Sequence, residues 1–391
     1  YMKRRRDIAV EIRPAIADTL DMAAMADAGD VVQIRMAQLP LYVAKGVLFD
    51  PVAAGGLAVD MDELHQGLAE AARCGGRTWG VPVTCSIECF FANAERMELI
   101  SPLMRQMGVF EFCERLRTIH GTMDMAPFEA LVFNDKSFNS LLLSTLPVEQ
   151  QTWPVIRDFA APERVALMER LEAFYCRPWI KHPGLHGRGI ETWHGFAARR
   201  NLVSVGASVA LAGFLRRIDV PFRVLPHPRE AGAAVAGAAN LNVISAATPY
   251  PLECLDFLAY LAEERPQHIL AEEGQLVAHR RASTHFRRDN LCADDSRQMV
   301  EDLRHIRILS IPDPAVAQHE LAVLHNEICK WTEGVLSTAD VCRSLAIRTR
   351  FFDQAHGWPV APRAGGMDAD TGVPAGAERE TRARTGAAGA A

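Results

Sequence analysis

Gly75-Gly76-Arg77-Thr78-Trp79-Gly80-Val81-Pro82 leads straight into an apolar run, Val83 to Phe91. Adjacent glycines mark a turn, and a bounded apolar run of that length reads as a buried strand. Upstream, Asp62 to Cys74 carries Leu64 and Leu68 four apart, the spacing of one face of an amphipathic helix. The alternation continues toward the N-terminus. Ile8 to Ile12 reads as a short strand, Ile16 to Ala28 as a helix stopped by Gly29-Asp30, Val31 to Ile34 as a buried strand, and Pro40 to Gly46 as a helix closed by its glycine. Strand–helix–strand–helix order predicts an α/β layer with parallel strands.

Downstream, helices are expected at about 101–119 and 163–175, flanking a looser region that contains Phe133 to Asn139. Leu202 to Val205 reads as a strand opening onto Gly206-Ala207-Ser208 and a helix to Arg217. Phe222 to Pro226 is a strand that ends in Pro226-His227-Pro228, and Ala239 to Ser245 is a further strand. Helices are expected over Pro251 to Glu264 and Gln267 to Glu273, with a last helical region over 315–354. No repeat recurs at a period of 20–50 residues.

The chain of 391 residues has room for two or three domains, and 49% hydrophobic with 23% charged residues is an ordinary globular balance. Lys and Arg number 42 against 48 Asp and Glu, a net charge of −6 that excludes a broadly basic nucleic-acid binder. No run reaches the roughly 18–20 apolar residues of a membrane span. The chain begins at Tyr1, and Met2 to Arg6 is basic, but Asp7, Glu11, Arg13 and Pro14 follow where a signal peptide has its apolar core. The expectation there is a solvated basic face, with a natural start further upstream. Nine Cys, an odd number with no C-x-x-C pair, fit a reducing compartment. From about His356 to Ala391 large apolar residues nearly vanish, which predicts a disordered tail.

Four segments together resemble the extracellular solute-binding proteins of ABC importers, of the carbohydrate (maltose-binding-protein-like) type. Gly29 to Gln33 with Ala44 to Leu48 is similar to the family's D-V-V … G-L-L strand and helix. Gly75 to Pro82 followed by Phe91-Ala92-Asn93 is similar to its D-G-K-x-Y-G-L-P … Y-Y-N stretch. Asn201 to Leu211 stands in the place of A-M-x-x-x-G-x-W-A. Val224 to Pro226, Asn242 to Ser245, Cys254 to Leu261 and His268 to Gly274 follow the later motifs in order. The resemblance spans about residues 8–355. It lacks the family's usual first strand, as a chain missing its N-terminal segment would. It also has Ala207-Ser208 where an aromatic is usual, and only 6 Trp and 5 Tyr in all.

The resemblance implies an α/β, two-lobe periplasmic-binding-protein-like fold of type II, with crossing strands between the lobes and a ligand cleft. Lobe one would be 1–84 plus 229–285 and lobe two 86–228 plus 286–355, with 356–391 a disordered tail. The crossings would fall near Thr84-Cys85-Ser86 and Pro226-His227-Pro228. Ligands sit beyond strand ends in α/β sheets, which singles out Arg35 and Gln38 after the Val31 strand. Arg35 offers a planar fork to a carboxylate or sugar hydroxyls, and is as readily a surface cation. Ser86 and Glu88 sit at the first crossing, where Glu88 is either a ligand acceptor or a residue on the solvent face. Asn134, Phe138 and Asn139 resemble the second lobe's cleft segment, with Phe138 a stacking face or a core residue. Ser208 lies at a strand-to-helix turn where backbone N–H groups point outward, and Asn240 and Asn242 flank the return strand, as readily turn or edge residues satisfying local backbone.

Catalysis finds no footing. Cys85 and Cys89 would lie about 13 Å apart along a strand, too far to chelate one metal, and Pro183-Gly184 breaks the helix that would pair His182 with His186. His186-Gly187-Arg188-Gly189 has no third glycine in phase, and neither G-x-S-x-G nor a Walker loop occurs. The expectation is therefore a protein without catalytic residues, cofactor or metal. It would bind a small polar solute, a carbohydrate by resemblance, for an ABC permease, with no nucleic acid contacted by this chain and no membrane span. A lost signal would place it outside the cytoplasm, periplasmic or lipid-anchored. The alternative is a cytoplasmic effector-sensing domain of a GntR-type transcription regulator, which the cysteines favour.

Overall fold

The computed structural model describes residues 1–13, 28–122, 129–132, 144–146, 159–175, 180–181, 196, 198–199, 201–207, 220–289, 291–308, 326–331 and 333–355. The expected helix at 16–28, the turn after Ala207, the start of the last helical region and the tail lie outside these residues.

The strands are β1 (Val31–Arg35), β2 (Arg73–Cys74), β3 (Arg77–Thr78), β4 (Gly80–Asn93), β5 (Glu129–Val132), β6 (Ile180–Lys181), β7 (Asn201–Ala207), β8 (Phe222–Leu225), β9 (Val235–Ile244), β10 (Leu276–Val277) and β11 (Ile306–Arg307). β2 and β3 form a hairpin on Gly75 and Gly76, both at positive φ (59° and 75°), as a two-residue type I′ turn requires. The remaining strands make one sheet in the order β1-β9-β4-β7-β5-β6, with β10 and β8 also on β4 and β11 on β9.

β4, at 14 residues, organises the sheet. Its first half pairs with β9 from Gly80 to Ile87, with a register shift between Pro82 and Cys85. Its second half pairs with β7 and β8 from Glu88 to Asn93. Every pairing of β4, and that of β1 with β9, is antiparallel. Parallel pairs are confined to β5 with β6 and β7, and β9 with β11. The expectation of a parallel layer is thus corrected to a mixed sheet. Helix–strand alternation does not report which strand a returning chain chooses as neighbour, and β1 pairs with a strand some two hundred residues away.

Two further readings are corrected. Ile8 to Ile12 is not a strand: it pairs with no described strand, and Ile12 is 88% exposed. The helix expected over 62–74 is a 3-10 turn (Met61–Glu63), the helix Gln66–Ala71 and then β2. Leu64 interrupts it because it bridges to His279 while the His65 N–H donates to the Ala278 carbonyl, an extended arrangement no helix allows. Leu64 and Leu68 are both buried, as their spacing predicts. Longer helices cover Val109–Thr122, Pro162–Tyr175, Pro251–Ala262, Glu264–Glu272, Ala293–Leu303 and Thr338–Ala355.

Three large apolar clusters hold the sheet. Ile87, Cys89 and Phe91 enter the cluster that also holds Val32, Ile34, Ala239, Leu241 and Leu303. Phe90 and Ala92, on the opposite face of the same strand, enter a second cluster with Phe112, Leu116, Val203 and Trp331. Val81 and Val83 belong to a third, under helix Pro251–Ala262.

Candidate functional site

Side chains alternate across a strand, and directly opposite residues share a face. Val31, Gln33 and Arg35 of β1 therefore share a face with Ile244, Asn242 and Asn240 of β9, and on β4 Val81 and Ser86 share it with Asn242 and Ala238. At one end of this face lies the cluster of Val81, Ile244 and Leu258. At the other, in line with Ser86 and Glu88, lie Phe90 and Ala92 with the second cluster. Between the two apolar clusters the face carries Gln33, Arg35, Ser86, Glu88, Ala238, Asn240 and Asn242. The opposite face is covered by one continuous apolar cluster. The face thus carries a polar strip between two separate cores.

Within the strip Asn240 Nδ2 donates to Gln33 Oε1 at 3.2 Å and Asn242 Nδ2 to the Val81 carbonyl at 3.2 Å. Arg35 is exposed; Ser86 and Glu88 are half-buried, with Glu88 opposite Ala207 of β7. Gln38 ends the 3-10 turn after β1 and is 9% exposed, packed rather than open. Asn134, Phe138, Asn139 and Ser208 lie outside the described residues. The structure thus brings Arg35, Ser86, Glu88, Asn240 and Asn242 onto one face and adds Gln33 to them. Gln33 was detectable: polar residues at 33 and 35 alternate with Val32 and Ile34.

The segment after β8 runs from the strand paired with the second half of β4 to β9, paired with the first half. It is fully buried at His227, whose N–H donates to Asp302 Oδ2 at 3.1 Å and whose ring meets Phe90 edge-on at 5.1 Å. Nδ1 lies 3.1 Å from the Pro228 carbonyl, so the proton sits on Nδ1. Gln106 Nε2 donates to the His227 carbonyl at 3.0 Å, and the Arg229 N–H to the Met107 carbonyl at 3.0 Å. The Glu230 carboxylate accepts from the Phe110 N–H at the start of helix Val109–Thr122, where a negative charge complements the helix end. Burial lowers the His227 pKa to about 3.

The chain is similar in structure to the sugar-binding protein MalE from the phytopathogen Xanthomonas citri, with a TM-score of 0.70 at 16% identity over 86% of this chain and 87% of that one. It is similar to the ABC substrate-binding protein Lmo0181 from Listeria monocytogenes, solved with cycloalternan, with a TM-score of 0.67 at 14% identity over 92% and 94%. It is similar also to UgpB from Mycobacterium tuberculosis, solved with glycerophosphocholine, with a TM-score of 0.66 at 16% identity over 91% and 93%. No protein-family model matches the sequence, and no curated protein matches it either. The chain has the two-lobe α/β fold of type II periplasmic binding proteins. Among these structural neighbours are a sugar-binding protein and an ABC substrate-binding protein.

Proposed function

We propose that this chain binds a small polar solute, without catalysis, in the gap between its two separate apolar clusters. The observation that carries the reading is the strip of Gln33, Arg35, Ser86, Glu88, Asn240 and Asn242 on one face of a sheet otherwise covered by apolar side chains. A guanidinium, a carboxylate and three side-chain amides supply donors and acceptors for hydroxyl or ester oxygens. Asn134, Phe138, Asn139, Ser208 and Gln38 complete the candidate set. A carbohydrate is the first ligand class, since one neighbour is a sugar-binding protein and another was solved with cycloalternan; glycerophosphodiesters are the second, after the neighbour solved with glycerophosphocholine. The lobes would be 1–84 with 229–285 and 86–228 with 286–355, with ligand shifting the population toward closure. Delivery to an ABC permease and a site of action outside the cytoplasm follow from the same reading. No described helix is long and apolar enough to cross a membrane.

Thermal unfolding against a panel of mono- and oligosaccharides, glycerophosphodiesters, amino acids and polyamines tests it. A ligand at 100 times its dissociation constant adds about 2.7 kcal/mol, a rise of a few degrees. A rise that disappears in Arg35→Ala supports the site; no rise with any compound counts against the whole reading.

One observation favours a second reading, the effector-sensing domain of a cytoplasmic transcription regulator: the eight described cysteines are all free thiols, most of them buried. The coding sequence upstream of Tyr1 decides between them. A signal peptide or lipobox there supports the importer, and a basic helix-turn-helix supports the regulator.

A further inference from the structure

Residues 1–5 fold into a turn in which the Arg4 and Arg5 N–H groups both donate to the Tyr1 carbonyl, at 2.7 and 3.0 Å. Side chains three and four apart in such a turn come to one side, and Tyr1, Arg4 and Arg5 together meet the outer stripe of helix Pro251–Ala262. The Tyr1 ring lies edge-on to Phe257, with centroids 5.1 Å apart, and tilted against Tyr260 at 5.3 Å, while its hydroxyl donates to Asp256 Oδ2 at 3.0 Å. Arg5 pairs with the same carboxylate. Arg4 Nη1 reaches both oxygens of Glu263, the residue that follows the helix, at 2.7 and 2.9 Å, and its guanidinium stands 5.3 Å from the Tyr260 ring centroid. An aromatic ring set against two others, with a cation on an acid to either side, is a complementary fit in shape and in charge.

The helix does not need this cover for its own packing. Its inner face, Cys254, Leu255, Leu258 and Ala262, is buried with Val81, Val83 and Ile244. The outer stripe also runs on past the turn: Leu252, four residues before Asp256, is 65% exposed, and Tyr250 is 57% exposed. Residues 1–5 thus cover only part of an acidic and aromatic surface, and they do so with ion pairs open to solvent, which hold weakly. None of these residues belongs to the polar strip.

We propose that the outer face of helix Pro251–Ala262 is a docking surface for a basic, aromatic-bearing segment of a partner protein, which residues 1–5 occupy in cis until the partner's segment displaces them. The contacts in place define that segment's chemistry: an aromatic side chain against Phe257 and Tyr260, Lys or Arg three and four residues on for Asp256 and Glu263, and an apolar side chain for Leu252.

A dye-labelled peptide of residues 1–8 is the probe, titrated with the full chain and followed by fluorescence anisotropy. A tethered competitor acts at an effective concentration of about 1 mM, so for a probe with a Kd of about 0.1 mM the full chain carrying Tyr1→Ala, Arg4→Ala and Arg5→Ala together should bind about tenfold more tightly than wild type. Added salt should weaken that binding. Asp256→Lys with Glu263→Lys, placed in the same chain, should remove it, and a probe carrying Tyr1→Ser should bind more weakly than its parent. The charged groups replaced are all solvent-exposed, so the core stays intact. Equal affinity of wild type and the triple variant overturns the proposal, as does binding that survives the two lysine substitutions, equal binding of the Tyr1→Ser probe, or no binding to either chain. Sedimentation of the same samples separates the other occupant: a wild-type dimer that the triple variant loses assigns the face to a second copy of this chain and overturns the proposal as well.

Discussion

Arg35 and Asn240 stand directly opposite each other across the antiparallel pair of β1 and β9, and the Asn240 amide reaches Gln33 on the same face at 3.2 Å. Three side chains from strands two hundred residues apart in sequence are thereby held at fixed spacing on rigid elements, as a binding site needs.

Arg35→Ala should accordingly remove binding while leaving the fold alone. Arg35 is exposed, and surface substitutions usually stay within about 0.5 kcal/mol. A hydrogen bond to a charged group is worth about 1.5–3 kcal/mol, so affinity for the best solute of the panel should fall by roughly 10- to 150-fold. Titration calorimetry gives the affinity and the thermal midpoint gives the control. Arg35→Lys should recover only part of the loss, because it restores the charge without the planar fork.

Gly67 offers a test of packing. It lies in helix Gln66–Ala71, where alanine is intrinsically better than glycine by roughly 1 kcal/mol. A Cβ there, however, would run into the Ile306 carbonyl of β11, with the carbonyl carbon at 2.9 Å. Backbone cannot step aside as a side chain can, so Gly67→Ala should destabilise, by about 1–3 kcal/mol. A midpoint in urea equal to or above that of wild type would refute the close approach of helix to strand.

The sequence made β4 legible because its apolar residues from Val81 to Val83 and from Cys89 to Ala92 are buried and its ends are marked, at Gly75-Gly76 and at Asn93. The helix around Leu68 was legible in its buried residues but not in its extent: the break at Leu64-His65 is imposed by His279, a partner that local periodicity cannot see. Strand direction was misread for the same reason. Of the strip, Arg35, Ser86, Glu88, Asn240 and Asn242 were reachable from positions near strand ends. Gln33 lies inside a strand, where alternation puts it on the face of Arg35, but its place beside Asn242 depends on register, which only pairing reveals.

Thr338 joins two helices through one hydroxyl. Its Oγ1 accepts from Trp331 Nε1 at 2.9 Å and donates to Glu172 Oε2 at 2.6 Å, in a site where Trp331 is fully buried. Thr338→Val keeps the shape and removes both bonds, leaving the indole and the carboxylate short of one partner each. The expected cost is about 1–3 kcal/mol. It should appear as a lower urea midpoint with an unchanged slope; a changed slope would point to a different unfolded or native compactness instead.

His65 sets an acid limit on stability. Ser283 gives its single hydroxyl proton to the Arg280 carbonyl at 2.8 Å, so the 3.1 Å contact between Ser283 Oγ and His65 Nε2 has the imidazole as donor. Burial first, then the nearby charges of Arg280 and Arg304 and the His279 ring, lower its pKa from 6.5 to about 4. The unfolded chain therefore binds a proton that the folded chain refuses over that interval. Stability is fully present above about pH 6.5 and falls as pH drops toward 4, by about 1.4 kcal/mol per pH unit for one proton. Asp302 acts in the opposite sense, since its raised pKa makes the folded chain hold the extra proton between about 4 and 7 and lose that advantage as pH rises. The bare wild-type profile mixes the two, and differences between variants separate them. Between pH 4 and 6.5 His65→Gln should lower the slope of stability against pH by one proton's worth, whereas Asp302→Asn should raise it. Urea unfolding at half-unit steps of pH measures both; a His65→Gln curve parallel to wild type across that window would mean that the imidazole takes up its proton at the same pH inside the fold as in the unfolded chain.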